Sequence, residues 1–132
     1  MTGTVQPRLG LGRLAGRRVL IAEDSWLTAD TLSVLLEAEG ARVVGPSATC
    51  AGALAYLERE AVDFALVDMG LGDAFADRLA EELVARTIPF FVLTGYSALP
   101  TNADERAIKV IRKPIDKRVL IDLLSGYFGP GS

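Results

Sequence analysis

Apolar residues in this chain cluster in two ways that alternate along it. Short unbroken runs, such as Val19-Leu20-Ile21-Ala22, Phe64-Ala65-Leu66-Val67 and Phe90-Phe91-Val92-Leu93, leave no polar residue to face water. Runs of this length read as strands covered on both faces, the kind found inside a parallel sheet. Between them lie stretches with helical spacing. Ser25 can cap a helix that carries Leu27, Thr31, Leu32, Leu35 and Leu36 and stops at Gly40. Residues 49–59 place Ala53, Leu54 and Leu57 on one face, residues 74–86 form another amphipathic helix, and residues 116–127 present Val119, Leu120, Leu123 and Leu124. The pattern predicts strands at 18–22, 41–45 (ended by Pro46), 64–68, 88–93 and 107–111. The stretch 96–106 is polar, with weak helical signal.

Strand and helix thus alternate, without repeats or an internal linker, which implies a parallel sheet with helices on both faces. Right-handed crossovers leave few topologies. In the flavodoxin-like order 2-1-3-4-5 the first and third strands lie side by side at the switch point, where such sheets place their ligands. Residues 17–128 are expected to form one domain, between a flexible tail at 1–16 (with one short turn around Leu11 to Leu14) and a flexible end at 129–132.

Composition narrows the chemistry. The chain of 132 residues has no histidine and a single cysteine, Cys50. The first fact removes the commonest general base and metal ligand and excludes a phosphohistidine on this chain. The second excludes an internal disulfide and fits a reducing compartment. No apolar run is long enough to cross a membrane, so a cytoplasmic protein is expected. Net charge is −3, with Arg8, Arg13, Arg17 and Arg18 gathered before the first acid, Glu23. That leader reads as solvated chain rather than a nucleic-acid or membrane contact.

Three carboxylates then stand out at predicted strand ends: Glu23 and Asp24 after the first, Asp68 closing the third. Converging in one crevice, they must bind a cation or raise a pKa. Hard oxygen donors without His or Cys favour magnesium. Asp24 and Asp68 would be direct ligands, Glu23 would act through water, and the Gly70 carbonyl would be a third protein ligand. Asp68 can also be a nucleophile toward phosphorus. Thr94, ending the fourth strand, offers a hydroxyl to a phosphoryl oxygen, and Lys113, after the fifth, offers an ammonium. A cis Lys113-Pro114 bond would fix the backbone there. Taken singly, each residue has a plain alternative: Asp24 a helix cap, Thr94 a structural hydroxyl, Lys113-Pro114 a common loop pair. Their joint placement on one sheet edge carries the reading.

This set resembles the receiver domain of two-component response regulators. The likeness covers 17–128 and rests on VLIAED (19–24), FALVDMGLGD (64–73), FFVLTGYS (90–97) and VIRKPI (110–115). The resemblance implies a histidine kinase that donates phosphate to Asp68, required magnesium, and Thr94 and Lys113 touching the phosphoryl group. It makes the chain a signalling domain rather than an enzyme. Two departures stand out. Three residues before the lysine, where most receivers carry Tyr or Phe as a switch, stands Val110. The stretch 89–96 looks like the single-domain subgroup named for its FATGUY motif, so the switch is expected to pass through Thr94, Gly95 and Tyr96. The plainer reading makes Tyr96 a loop aromatic.

Gly72 also replaces the family's proline in the loop after Asp68. With no side chain at Gly70 to orient water, and Tyr96 able to shield the site, the phosphorylated state is expected to decay slowly. Output is expected through protein binding around 96–111 and the last helix, by a monomer or weak dimer without nucleic-acid contact. The alternatives are a phosphate sink or shuttle and an excised receiver of a hybrid kinase. A magnesium-dependent phosphatase ranks last, because Gly70 stands where its second acid would be.

Overall fold

The computed structural model describes residues 12–68, 73–95 and 106–129, the side chains of 73–76 excepted. Elements run β1 (Arg18–Ala22), α1 (Trp26–Ala38), β2 (Arg42–Ser47), α2 (Cys50–Arg59), β3 (Phe64–Asp68), α3 (Asp73–Ala85), β4 (Phe90–Thr94), β5 (Lys109–Arg112) and α4 (Lys117–Phe128). The strands make one sheet of order β2-β1-β3-β4-β5, parallel throughout. This is the expected order.

The burial pattern explains the unbroken apolar runs. Every residue of β3 and β4 is buried, because helices cover both faces. Leu20, Ala22, Ala65, Val67, Phe90 and Val92 pack on one side with Ala53, Leu57, Leu79 and Leu83 from α2 and α3. Val19, Ile21, Phe64, Leu66, Phe91 and Leu93 pack on the other with Leu32, Leu36, Leu120 and Leu124 from α1 and α4. Alternate residues of one strand therefore feed two different cores. Phe64 anchors the second, edge-to-face against Phe91 with ring centroids 4.7 Å apart.

Local capping follows the sequence. Ser25 Oγ accepts from the Thr28 N–H at 3.3 Å, Thr49 Oγ1 from Gly52 at 3.0 Å and Asp116 Oδ1 from Val119 at 3.1 Å. Gly40 leaves α1 in the left-handed region at φ 89°.

Five expectations need correction. β2 does not stop at Pro46 but runs through a cis Gly45-Pro46 bond to Ser47. Proline is tolerated because β2 is an edge strand with one side free of ladder bonds. β4 and β5 begin two residues later than expected, at Phe90 and Lys109. Leu27 and Val119 are 62% and 47% exposed, and Ala29 and Ile121 take the core positions instead.

Packing also reaches back to Gly12, into the stretch expected to be a tail. Leu14 is fully buried in the second core. Its N–H donates to the Glu39 carbonyl at 2.9 Å, and Gly16 donates to Gly40 at 3.0 Å. Arg13 pairs with Asp122 on α4 at 2.8 Å, and the Arg17 guanidinium lies 4.3 Å from the centre of the Phe128 ring. A side chain at Gly12 would collide with the Glu39 carbonyl. Residues 12–17 thus form a strap across the ends of α1 and α4.

Candidate phosphoryl-acceptor site

The carboxyl ends of adjacent β1 and β3 bring the acids together. Asp68 is the last residue of β3, and Glu23 and Asp24 follow β1 directly. One carboxylate oxygen from each lies within 4.8 Å of the other two. Glu23 and Asp68 are buried, at 1% and 2% exposure, while Asp24 is open to solvent. The backbone sets Glu23 firmly: its N–H donates to the Ser47 carbonyl at 2.9 Å, and its Oε2 accepts from the Ser25 N–H at 3.1 Å.

Lys113 reaches in from the end of β5. Its ammonium lies 3.1 Å from Glu23 Oε2 and 3.2 Å from Asp68 Oδ1, so it holds both buried acids at once. The Lys113-Pro114 bond is cis, as expected, and the Lys113 N–H donates to the Thr94 carbonyl at 2.8 Å. That bond ties the lysine's backbone to the end of β4. Thr94 is 6% exposed, with its hydroxyl in a long 3.4 Å contact to the Gly95 carbonyl. A hydroxyl held so loosely is available to a stronger acceptor.

The electrostatics follow from this crowding. Burial pushes the Glu23 carboxyl up to about 7, and closeness to the Asp68 carboxylate adds to it; the Ser25 N–H and Lys113 pull the other way. For Lys113, burial lowers the pKa, but hydrogen bonds and attraction to Glu23 and Asp68 outweigh it and leave the ammonium above its usual range.

A divalent cation fits these residues. Glu23 Oε1 is buried without a hydrogen-bond partner among the described residues, and such an oxygen costs free energy until something positive meets it. Two oxygens on one magnesium ion at about 2.1 Å can be no more than about 4.2 Å apart. The acid triangle therefore closes with a small side-chain movement or one bridging water.

The structure brings together Glu23, Asp24, Asp68 and Lys113, with Thr94 at the end of the neighbouring strand. Gly95 has open space where a Cβ would point. Val110, in the middle of β5, is 40% exposed. Gly70 and Tyr96 lie outside the described residues. Sequence reasoning missed one contributor. Ser25, read only as a helix cap, also orients Glu23; its place two residues on was the available signal.

The family model for the response regulator receiver domain matches residues 19–125. The chain belongs to that family. It is 35% identical over 122 residues to the Sensor protein TorS of Escherichia coli (strain K12), covering 87% of this chain but only 13% of that protein. A receiver domain structure from Methylobacillus flagellatus superposes with a TM-score of 0.72 at 26% identity, over 85% of this chain and 98% of that one. One from Methanospirillum hungatei JF-1 gives 0.71 at 25% identity, over 86% and 94%. Both are described as CheY-like. The chain is therefore a signalling domain of two-component systems, and its acid cluster is one that could hold the metal receivers bind. No helix among the described residues is long and apolar enough to cross a membrane.

Proposed function

We propose that this receiver accepts a phosphoryl group on Asp68 from a histidine kinase and passes the change on by protein binding. A single arrangement carries the reading: a buried Asp68, held by Lys113, within 4.8 Å of Glu23 and Asp24 at the carboxyl edge of the sheet. In the transfer, an Asp68 carboxylate oxygen forms a bond to phosphorus as the bond from phosphorus to the donor imidazole nitrogen breaks. The electron pair leaves with the imidazole, which takes a proton from solvent. Asp24, Asp68 and the Gly70 carbonyl would hold magnesium directly, and Glu23 through water. The ion supplies charge neutralisation for the incoming phosphoryl oxygens.

Lys113 is already 3.2 Å from the accepting carboxylate, so it can follow the negative charge onto the phosphoryl group without crossing the site. Thr94 donates its hydroxyl to a second phosphoryl oxygen. Gly95 gives the following backbone freedom to move with it, and Tyr96 reads that movement, as expected for the FATGUY subgroup. Val110 leaves no aromatic at the usual switch position. Slow loss of phosphate fits Gly70, which has no side chain to orient water.

The test is incubation with magnesium and acetyl phosphate, wild type beside Asp68→Asn. A mass gain of one phosphoryl group in the wild type alone supports the assignment. Equal gain in both, or none in the wild type, refutes it. A second reading, in which this receiver works as a segment of a longer sensor protein, is favoured by its likeness to part of TorS. Rapid transfer from a kinase without any state-dependent partner would instead make the chain a phosphate sink.

A further inference from the structure

A groove of about 430 Å³ runs between α1 and the edge strand β2. Glu23, Asp24, Asp30 and Glu37 line it, and no described lysine or arginine does. Asp24, Asp30 and Glu37 are exposed, and among the described residues none of the three forms an ion pair. Where the groove meets the phosphoryl site, Glu23 is buried and its Oε1 lacks a hydrogen-bond partner among the described residues. Such an oxygen favours any cation that can reach it. The acids are strung out rather than gathered. Glu23 and Asp24 belong to the triangle with Asp68, but Asp30 and Glu37 do not. At about 1.5 Å of rise per residue, Glu37 lies about 10 Å along α1 from Asp30, on the same face. No single metal ion spans that distance. The lining also includes apolar Ala29, Val43 and Pro46, and Trp26, 77% exposed, stands beside Asp24. Acids on a helix surface are ordinarily just solvated. Solvation does not account for the concave apolar floor beside them or for the unmatched Glu23 oxygen at one end.

We propose that this groove is a binding site for a linear aliphatic polyamine. Its ammonium groups meet Asp30, Glu37 and the Glu23–Asp24 end in turn, and its methylenes cover Ala29, Val43 and Pro46. The Trp26 ring face attracts the ammonium nearest Asp24. Carboxylates spaced along an apolar floor match charges spaced along a hydrocarbon chain. A compact inorganic cation leaves that floor bare and reaches one end only. A basic peptide fits less well, because β2 offers no regular ladder for strand addition here: Pro46 has no N–H, and the pairing with β1 slips between Leu20 and Ala22. The site does not depend on phosphoryl transfer. It does share Glu23 and Asp24 with the metal crevice, so polyamine and magnesium exclude one another at that end.

The experiment is a titration of the full chain with spermidine in chelator at fixed ionic strength. Binding is read by the fluorescence of Trp26, the chain's one tryptophan, and by NMR of the ¹⁵N-labelled chain. Parallel titrations use hexaamminecobalt(III), a compact cation of the same charge, and a short lysine-rich peptide. The expected result is saturable spermidine binding with shifts along 26–37 and 43–48, about tenfold tighter than the cobalt complex because methylenes are buried. Asp30→Asn and Glu37→Gln should each weaken it about three- to fivefold, and together about tenfold or more. Neither should change phosphorylation by acetyl phosphate when no polyamine is present. Added magnesium should weaken spermidine binding more than sodium chloride of equal ionic strength does. Equal affinity for the cobalt complex, tighter binding of the peptide, unchanged affinity in the double variant, or shifts centred elsewhere would each overturn the proposal. So would magnesium that binds with no loss of spermidine affinity.

Discussion

At the scale of single residues, Glu23 gives up stability to serve the site. It is buried beside another carboxylate, and its Oε1 lacks a partner among the described residues. Its folded pKa is raised from about 4.5 to about 7. For an acid, this means the folded state holds the proton more tightly than the unfolded state. Without magnesium, stability should therefore fall as pH rises through the window from about 4.5 to about 7 and then level off. Urea midpoints at pH 5 and pH 8 in chelator should show that decline in the wild type and little of it in Glu23→Gln. Glutamine keeps an acceptor for Lys113 and the Ser25 N–H but removes the buried charge. Glu23→Gln should accordingly raise the melting temperature at pH 8 by several degrees, on the order of 1 kcal/mol, while weakening magnesium binding.

Elements were legible where one force dominated. β1 and β3 start and end where expected because both are closed on two faces, so Val19–Ala22 and Phe64–Val67 are uniformly apolar. The site was legible for the same reason: four strand ends each carried a polar residue that the core does not need. Boundaries failed where neighbours override local preference. Pro46 continues a strand because that strand lies at an edge. Val119 satisfies the helical period of α4, yet Leu120, Ile121 and Leu124 are the residues that face the core and Val119 stays exposed.

The strap at 12–17 was hidden because its one core residue, Leu14, sits among glycines and arginines with no period to mark it. Leu14→Ala should cost about 2–5 kcal/mol, measured by urea unfolding, although Leu14 lies outside every regular element. At the start of α2, Cys50 makes a complementary probe of the first core. Burial, then the charge of Asp68, pushes its thiol up to about 11. At pH 8 roughly one molecule in a thousand would carry the thiolate. A disulfide reagent should therefore label the native chain very slowly, and labelling should become fast in urea at the same pH.

Over the whole molecule, the two cores share one sheet, and the acid cluster sits where the strands that separate them end. A ligand bound there should stabilise both cores together, because β1 and β3 feed residues to each. If a divalent ion binds only the folded chain, stability should grow with its concentration as RT ln(1 + [L]/Kd), about 2.7 kcal/mol at a hundredfold excess over the dissociation constant. Magnesium titrated into the chelator-treated chain should raise a single cooperative transition, seen alike by tryptophan fluorescence and by far-ultraviolet circular dichroism. Trp26 is 77% exposed at the first turn of α1, close to Asp24, and reports on the site side; the circular dichroism reports on all helices. Asp24→Asn should remove most of the magnesium-dependent rise with little change in the metal-free midpoint, since Asp24 is exposed and holds no structural role among the described contacts. Calcium should stabilise less where small octahedral geometry is needed. If magnesium shifted the fluorescence transition alone, the site would be coupled to α1 and not to the sheet, and the view of one crevice built on the common ends of β1 and β3 would have to be abandoned.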